Sequence, residues 1–195
     1  IFQPGDVQNE NRDFLIVYAG LHGLAQGLEQ IHLAAQKLPS TEHIEFTFVG
    51  DGPEKQQLIQ LVKDLNLNHF RFLDSVAKEK IPAILRTADV LIVPLKIQLT
   101  GAVPSKIYEA MAIGKPIILI AESEAAKIVN DANCGIVVRP GDIDGLVASM
   151  LYLKNNPEVC KQMGANGRQA AVQNHDRARI VNRFAQLLLR ETGHL

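Results

Sequence analysis

A chain of 195 residues is enough for one substantial domain or at most two small ones. Its composition, 47% hydrophobic and 21% charged, excludes a disordered polymer, and a net charge of −1 provides no global field for nucleic acid or membrane. No apolar run approaches the roughly 18 residues of a membrane span, and no signal peptide is expected. In chain order, residues 14–19 (FLIVYA) read as a buried strand and 24–38 as a helix, with Leu24, Leu28, Ile31, Ala35 and Leu38 on one face. Residues 44–49 form a second strand, 53–65 a helix with Pro53 near its first turn, and 69–73 a short third strand. A helix over 78–88 leads to the fourth strand, 89–94, and then to a loop over 95–103. The helix 104–113, the strand 116–121, the helix 123–132 and the strand 135–139 follow. Helices over 142–155, 157–174 and 176–191 complete the chain.

This alternation predicts an α/β fold: a Rossmann-like parallel sheet of about six strands with helices on both faces. The first, fourth and fifth strands are continuous apolar runs, as in a sheet buried on both sides, whereas the second and third alternate and belong nearer an edge. In such sheets ligands bind beyond the carboxyl ends of the strands. Three glycine-bearing turns are expected there, at 20–23, 50–53 and 100–102. Cys134 and Cys160 lack metal-ligand spacing and read as reduced thiols of a cytoplasmic protein. The chain opens at Ile1 without a methionine, through the polar stretch 3–13, and reads as a piece of something longer.

Two stretches carry candidate chemistry. The turn AGLHGLAQGLE (19–29) joins a strand to a helix, but Gly20, Gly23 and Gly27 match neither the dinucleotide fingerprint nor a Walker A loop. Spacing alone leaves it open as an anion-binding loop or a tight structural turn. His22 in that turn is a donor or acceptor near any ligand, although a lone loop histidine is more often simply solvated. VGDGPE (49–54) reads as ordinary strand-to-helix turn chemistry. The stretch VPSKIYEAMAIGKPIIL (103–119) places Ser105 and Lys106 on the first turn of a helix and Glu109 one turn deeper, on the same face. Lys106 and the free N–H groups of that turn suit a diphosphate, and Glu109 suits two sugar hydroxyls. An i,i+3 Lys106–Glu109 pair is the equally open structural alternative.

Six segments occur in one order along nearly the whole chain: VYAGLHGLAQGLE, FTFVGDGPEKQQLIQL, FRFLDSVAKEKIPAILRTADVLIVPL, VPSKIYEAMAIGKPIIL, CGIVVRPGDIDGLVASM and MGANGRQAAV. Together they resemble the C-terminal, donor-binding domain of a retaining GT-B-fold group 1 glycosyltransferase. The resemblance implies a single nucleotide-sugar-binding domain over 1–195, whose N-terminal acceptor domain is absent from this chain. It implies transfer of a sugar, with retention, from a nucleoside-diphosphate sugar (UDP the favoured carrier) to an acceptor hydroxyl, as in cell-surface polysaccharide or glycolipid synthesis. Glu109 is then expected on the ribose hydroxyls, and Lys106 against the leaving diphosphate. Gly20, His22, Gly23, Val103 and Ser105 are expected around the donor, with backbone groups at Leu73 and Val76 on the base. No metal or cofactor is expected, and no nucleic acid. The protein is expected in the cytoplasm, peripheral at the inner membrane face through the other domain.

The common family pattern carries an Arg, a Lys and a second Glu at the positions held here by Leu21, Gln26 and Gly101, so the choice of sugar stays open. Phe70 and Phe72 read as packing residues and Lys96 as a solvated loop lysine. Arg177, Arg179, Arg183 and Arg190 read as a solvated face, or as a docking face for the absent domain. A sugar-nucleotide epimerase of the same architecture and a non-catalytic nucleotide-sugar-binding module are the alternative functions.

Overall fold

The computed structural model describes residues 2–4, 12–96, 103–122, 124–174 and 177–191. Its strands are β1 (Phe14–Ala19), β2 (Ile44–Val49), β3 (Phe70–Leu73), β4 (Val90–Pro94), β5 (Ile117–Ile120) and β6 (Gly135–Val138). Between them lie α1 (Glu29–Lys37), α2 (Lys55–Asp64), α3 (Ile81–Thr87), α4 (Ser105–Ile113) and α5 (Glu124–Asp131). Helices α6 (Ile143–Asn155), α7 (Pro157–Asn174) and α8 (Arg177–Glu191) follow. All pairings among these strands are parallel, in the order β3-β2-β1-β4-β5-β6. β1 therefore sits at the centre, and the order reverses between β1 and β4.

The two faces of the sheet carry separate cores. Ile16, Tyr18, Phe46, Phe48, Ile92, Ile118 and Ile120 point to the layer of α1, α2 and α6. Val17, Leu91, Val93, Ile117 and Leu119 point to the layer of α3, α4 and α5. Strict alternation along apolar strands thus supplies both faces, as a doubly covered sheet requires. β2 alternates buried and half-buried residues over its first four positions and β3 alternates half-buried and exposed ones, because β3 is an edge strand and β2 its neighbour.

Two sequence expectations need correction. The first helix begins at Glu29, not residue 24. Gly27 sits at φ +61, a left-handed conformation, and the loop after β4 packs on it: a Cβ there would lie 2.7 Å from the Cβ of Lys96. Lys96 N–H also donates to the Ala25 carbonyl at 2.9 Å, so a tertiary contact overrides the helical periodicity of 24–28. The segment 78–88 divides into a 3-10 turn, Lys78–Lys80, and a helix that places Pro82 in its first turn, where no amide donor is needed. In α8, Arg179 is exposed, but so are Ile180, Val181, Phe184 and Leu187, so the helix carries an apolar side that the arginine spacing alone did not reveal. The side chains of Arg177, Arg183 and Arg190 lie outside the described ones. Among the described residues, no helix is long and apolar enough to cross a membrane.

Candidate functional site: a crevice at the carboxyl edge of the sheet

The carboxyl ends of β1 and β4 mark the point where strand order reverses, the usual ligand position in an open α/β sheet. The turn 20–23 follows β1 and lies against the turn 50–53 after β2. Gly50, at φ +138, allows this approach: a Cβ there would stand 2.0 Å from the Gly20 carbonyl oxygen. Gly20 N–H donates to the Val49 carbonyl at 2.8 Å and His22 N–H to the Asp51 carbonyl at 2.8 Å, so the two turns are held as one unit.

α4 enters this edge with Pro104 as its extended N-cap, which makes no side-chain capping bond. Its first N–H groups are therefore left for another acceptor. Lys106 and Glu109 both line a narrow gap of about 10 Å³ at this edge, walled otherwise by Val17, Ala19, Leu85, Leu91, Ile92 and Val93. The end of the Lys106 side chain lies over Gly20: a Cβ on Gly20 would be 2.1 Å from Lys106 Cε and 2.7 Å from Nζ. Lys106 forms no ion pair with any carboxylate among the described residues, so the i,i+3 Lys106–Glu109 alternative does not hold. Ser105 Oγ instead donates to Glu109 Oε1 at 3.2 Å. A half-buried cation with no carboxylate partner and a half-buried carboxylate oriented by a serine thus face one crevice.

The other sequence-named residues are placed as follows. Val103 is half-buried at the entry to α4, Gly23 is buried in the turn, and Val76 is half-buried in the loop after β3. The Leu73 carbonyl already accepts from Gly50 N–H at 3.1 Å and from Lys55 Nζ at 3.3 Å, so it is not free for a base. His22 is fully buried beneath the turn, its ring 5.7 Å from Tyr18 and 6.2 Å from Phe72. Its backbone N–H and carbonyl are both bonded, to Asp51 and Glu54, and its ring faces aromatic side chains; the expectation that it offers a group to a ligand is not met here. Burial and the nearby Lys55 ammonium hold the His22 imidazole below its ordinary pKa and keep it neutral. Neither ring nitrogen has a hydrogen-bond partner among the described residues.

Lys96 is not a free loop lysine. It pairs with Glu29 at 2.7 Å, and that bond holds its ammonium above the usual lysine pKa. Leu21, at a family cation position, is exposed, and Gln26 is half-buried with its Oε1 unpartnered. Gly101 lies outside the described residues. Phe70 stacks on Phe46 at 4.5 Å and on His32 at 4.7 Å, which makes the β3 phenylalanines packing residues as expected. Among the described residues there is no group of three or more His, Cys, Asp or Glu that could hold a metal.

Two residues escaped the sequence reading. Lys55 is buried, and its Nζ donates to the Gly50 carbonyl at 2.9 Å and to Asp74 Oδ1 at 2.7 Å, which joins the ends of β2 and β3. Tyr18 Oη donates to the Leu21 carbonyl at 2.6 Å. Both had a sequence signal. A lysine at a helix start opposes the helix dipole, and a tyrosine inside a buried strand needs a partner for its hydroxyl.

A doubly wound parallel sheet with a cation, a carboxylate and an open helix start at its switch point defines a Rossmann-like α/β domain. The model of the family "Glycosyl transferases group 1" matches residues 2–170, and the chain belongs to that family. It is 26% identical over 175 residues to the MMP alpha-(1->4)-mannosyltransferase of Mycolicibacterium hassiacum, covering 89% of this chain and 41% of that protein. It is 24% identical over 157 residues to the N-acetyl-alpha-D-glucosaminyl L-malate synthase of Bacillus anthracis, covering 80% and 40%. Sucrose-phosphate synthase from Thermosynechococcus elongatus superposes with a TM-score of 0.83 at 22% identity, over 100% of this chain and 50% of that one. The HepE protein of Anabaena, solved in complex with UDP, gives 0.82 at 21% identity, over 91% and 49%. The fold is thus that of GT-B glycosyltransferase structures, and the chain spans half or less of the length of these relatives.

Proposed function

We propose that the open edge over Gly20 and the start of α4, above this gap, binds the nucleotide part of a nucleoside-diphosphate sugar, with UDP as carrier, and that the chain is the donor-binding half of a retaining glycosyltransferase. The observation that carries this reading is Lys106, without a carboxylate partner among the described residues and lying over Gly20 at the switch point, one turn from Glu109. Lys106 and the first N–H groups of α4 would meet the diphosphate, and Glu109 would accept from the ribose hydroxyls. The structure of HepE with UDP supports the choice of carrier.

In the reaction the bond between the anomeric carbon and the diphosphate oxygen breaks, and a bond to the acceptor oxygen forms as that hydroxyl passes its proton to the leaving diphosphate. Negative charge grows on the leaving diphosphate. Fixed donors aimed at growing charge are the usual largest contribution to such catalysis. Lys106 would be such a donor. The acceptor site belongs, in this reading, to an N-terminal half of the same protein, through which it would meet the inner membrane face from the cytoplasm.

Calorimetry of the chain with UDP, UMP and uridine tests the proposal. UDP should bind more tightly than UMP, and equal affinities would remove the diphosphate role. Exposed Leu21, in place of a family cation, favours one second reading, a nucleotide-sugar-binding module without transfer. Failure of the longer protein to release UDP from any UDP-sugar would select it.

A further inference from the structure

The turn 20–23 has an ordered polarity. Its carbonyls are occupied from Leu21 onward: Leu21 by Tyr18 Oη at 2.6 Å, His22 by Glu54 N–H at 3.0 Å and Gly23 by Gln26 N–H at 3.1 Å. His22 N–H is used by Asp51, whereas the N–H groups of Leu21 and Gly23 have no acceptor among the described residues. The turn's acceptors are thus taken up while two of its donors stay unpaired, which favours an anion over a cation beside it. Two of the three carbonyls are held by neighbouring main chain. The Leu21 carbonyl depends on one side chain.

That side chain is rigidly set. Tyr18 is fully buried in β1, edge-on to Phe48 at 5.5 Å and to His22 at 5.7 Å. Its hydroxyl also borders the Lys106 ammonium: the point where a Gly20 Cβ would stand is 2.9 Å from Tyr18 Oη and 2.7 Å from Lys106 Nζ.

We infer that Tyr18 is a positioning residue for the phosphate site: its hydroxyl holds the Leu21 carbonyl away from the crevice, leaving the Leu21 and Gly23 N–H groups and Lys106 for the diphosphate. The inference rests on the crevice being a nucleoside-diphosphate site. Without the hydroxyl, the Leu21 carbonyl has lost its partner, and the nearest strong donor is Lys106. A carbonyl that turns to Lys106 both repels the diphosphate and occupies its cation.

Tyr18→Phe keeps the ring and removes the hydroxyl. Calorimetry with UDP and with uridine should show UDP binding weakened by about tenfold, the scale of leaving one part-buried acceptor unpartnered, with uridine binding unchanged. In a Lys106→Ala background the same substitution should have a much smaller effect on UDP. A second measurement needs no variant: in labelled wild-type protein, the Leu21 and Gly23 amide resonances should move on addition of UDP and stay in place with uridine. Equal weakening of UDP and uridine would reduce Tyr18 to a packing residue and overturn the inference. So would an unchanged UDP affinity in Tyr18→Phe, or amides that ignore UDP. If wild-type protein shows no preference for UDP over uridine, the diphosphate reading fails first and this inference with it.

Discussion

Gly20→Ala displaces the cation without removing it. Gly20 is not among the positive-φ glycines, so its backbone accepts alanine. The new methyl would land 2.1 Å from Lys106 Cε and 2.7 Å from Nζ, distances no carbon contact sustains, whereas the clash with Tyr18 Oη, at 2.9 Å, is milder. Lys106 is the flexible partner and must swing away. At an effective dielectric of 20, a unit charge pair is worth about 4 kcal/mol at 4 Å and about 2 kcal/mol at 8 Å. Restoring an ordinary contact at Cε moves the ammonium by about 2 Å, which on the same scale costs about 1.4 kcal/mol of diphosphate attraction, roughly tenfold in affinity. Uridine, which lacks the charge, should bind as before. Titration calorimetry with both ligands, beside a thermal melt, reads the effect. A Gly20→Ala protein that keeps its UDP affinity while folded would refute the placement of Lys106 at the diphosphate. Equal loss for both ligands would show that the turn, not the cation, was damaged.

Glu109→Ala should cost about 1.5–3 kcal/mol of UDP affinity, the range for hydrogen bonds to a charged group, with the melting temperature retained. The wild type should prefer UDP to its 2′-deoxy analogue and the variant should not; an equal preference in both would place the ribose elsewhere. Burial lowers the His32 pKa to about 4. Its stabilisation is therefore complete above the unfolded value near 6.5 and is lost as pH falls toward 4. About 2 kcal/mol should be gone by pH 5 on this account. Urea unfolding at pH 7 and pH 5 reads this, and His32→Phe should flatten the difference; an undiminished pH dependence in that variant would assign it to His22 or His69, both also lowered by burial. Lys55→Met leaves the Gly50 and Leu73 carbonyls without the Nζ that joins them, and should cost about 2–4 kcal/mol in urea unfolding, from one to two weakened buried acceptors. Loss below about 0.5 kcal/mol would show that water replaces the ammonium without penalty.

The sheet was legible because its determinants are local. FLIVYA, DVLIVP and PIILIA are too continuously apolar for any place but strands covered on both faces, and FRFL alternates as an edge strand does. The helix expected from residue 24 was not legible, because what unwinds 24–28 is the Lys96–Ala25 contact across 71 residues of chain. At the site, residue types and helix spacing brought Ser105, Lys106 and Glu109 to one face. They left open whether Lys106 paired with Glu109; that depends on Gly20, whose missing side chain gives the ammonium a place away from the carboxylate. His22 shows the opposite failure. Its position in a glycine turn pointed to a ligand, but the aromatic residues at 18, 48 and 72 that enclose its ring come from three strands, and their convergence is a property of the sheet rather than of any segment.

A crystal structure of the chain with UDP is the most direct test of the central claim. The account predicts the terminal phosphate of UDP within hydrogen-bond distance of Lys106 Nζ, next to the first N–H groups of α4, and both ribose hydroxyls on the Glu109 carboxylate. UDP bound elsewhere, or bound in the crevice with its phosphates turned away from Lys106 and its ribose off Glu109, would contradict it.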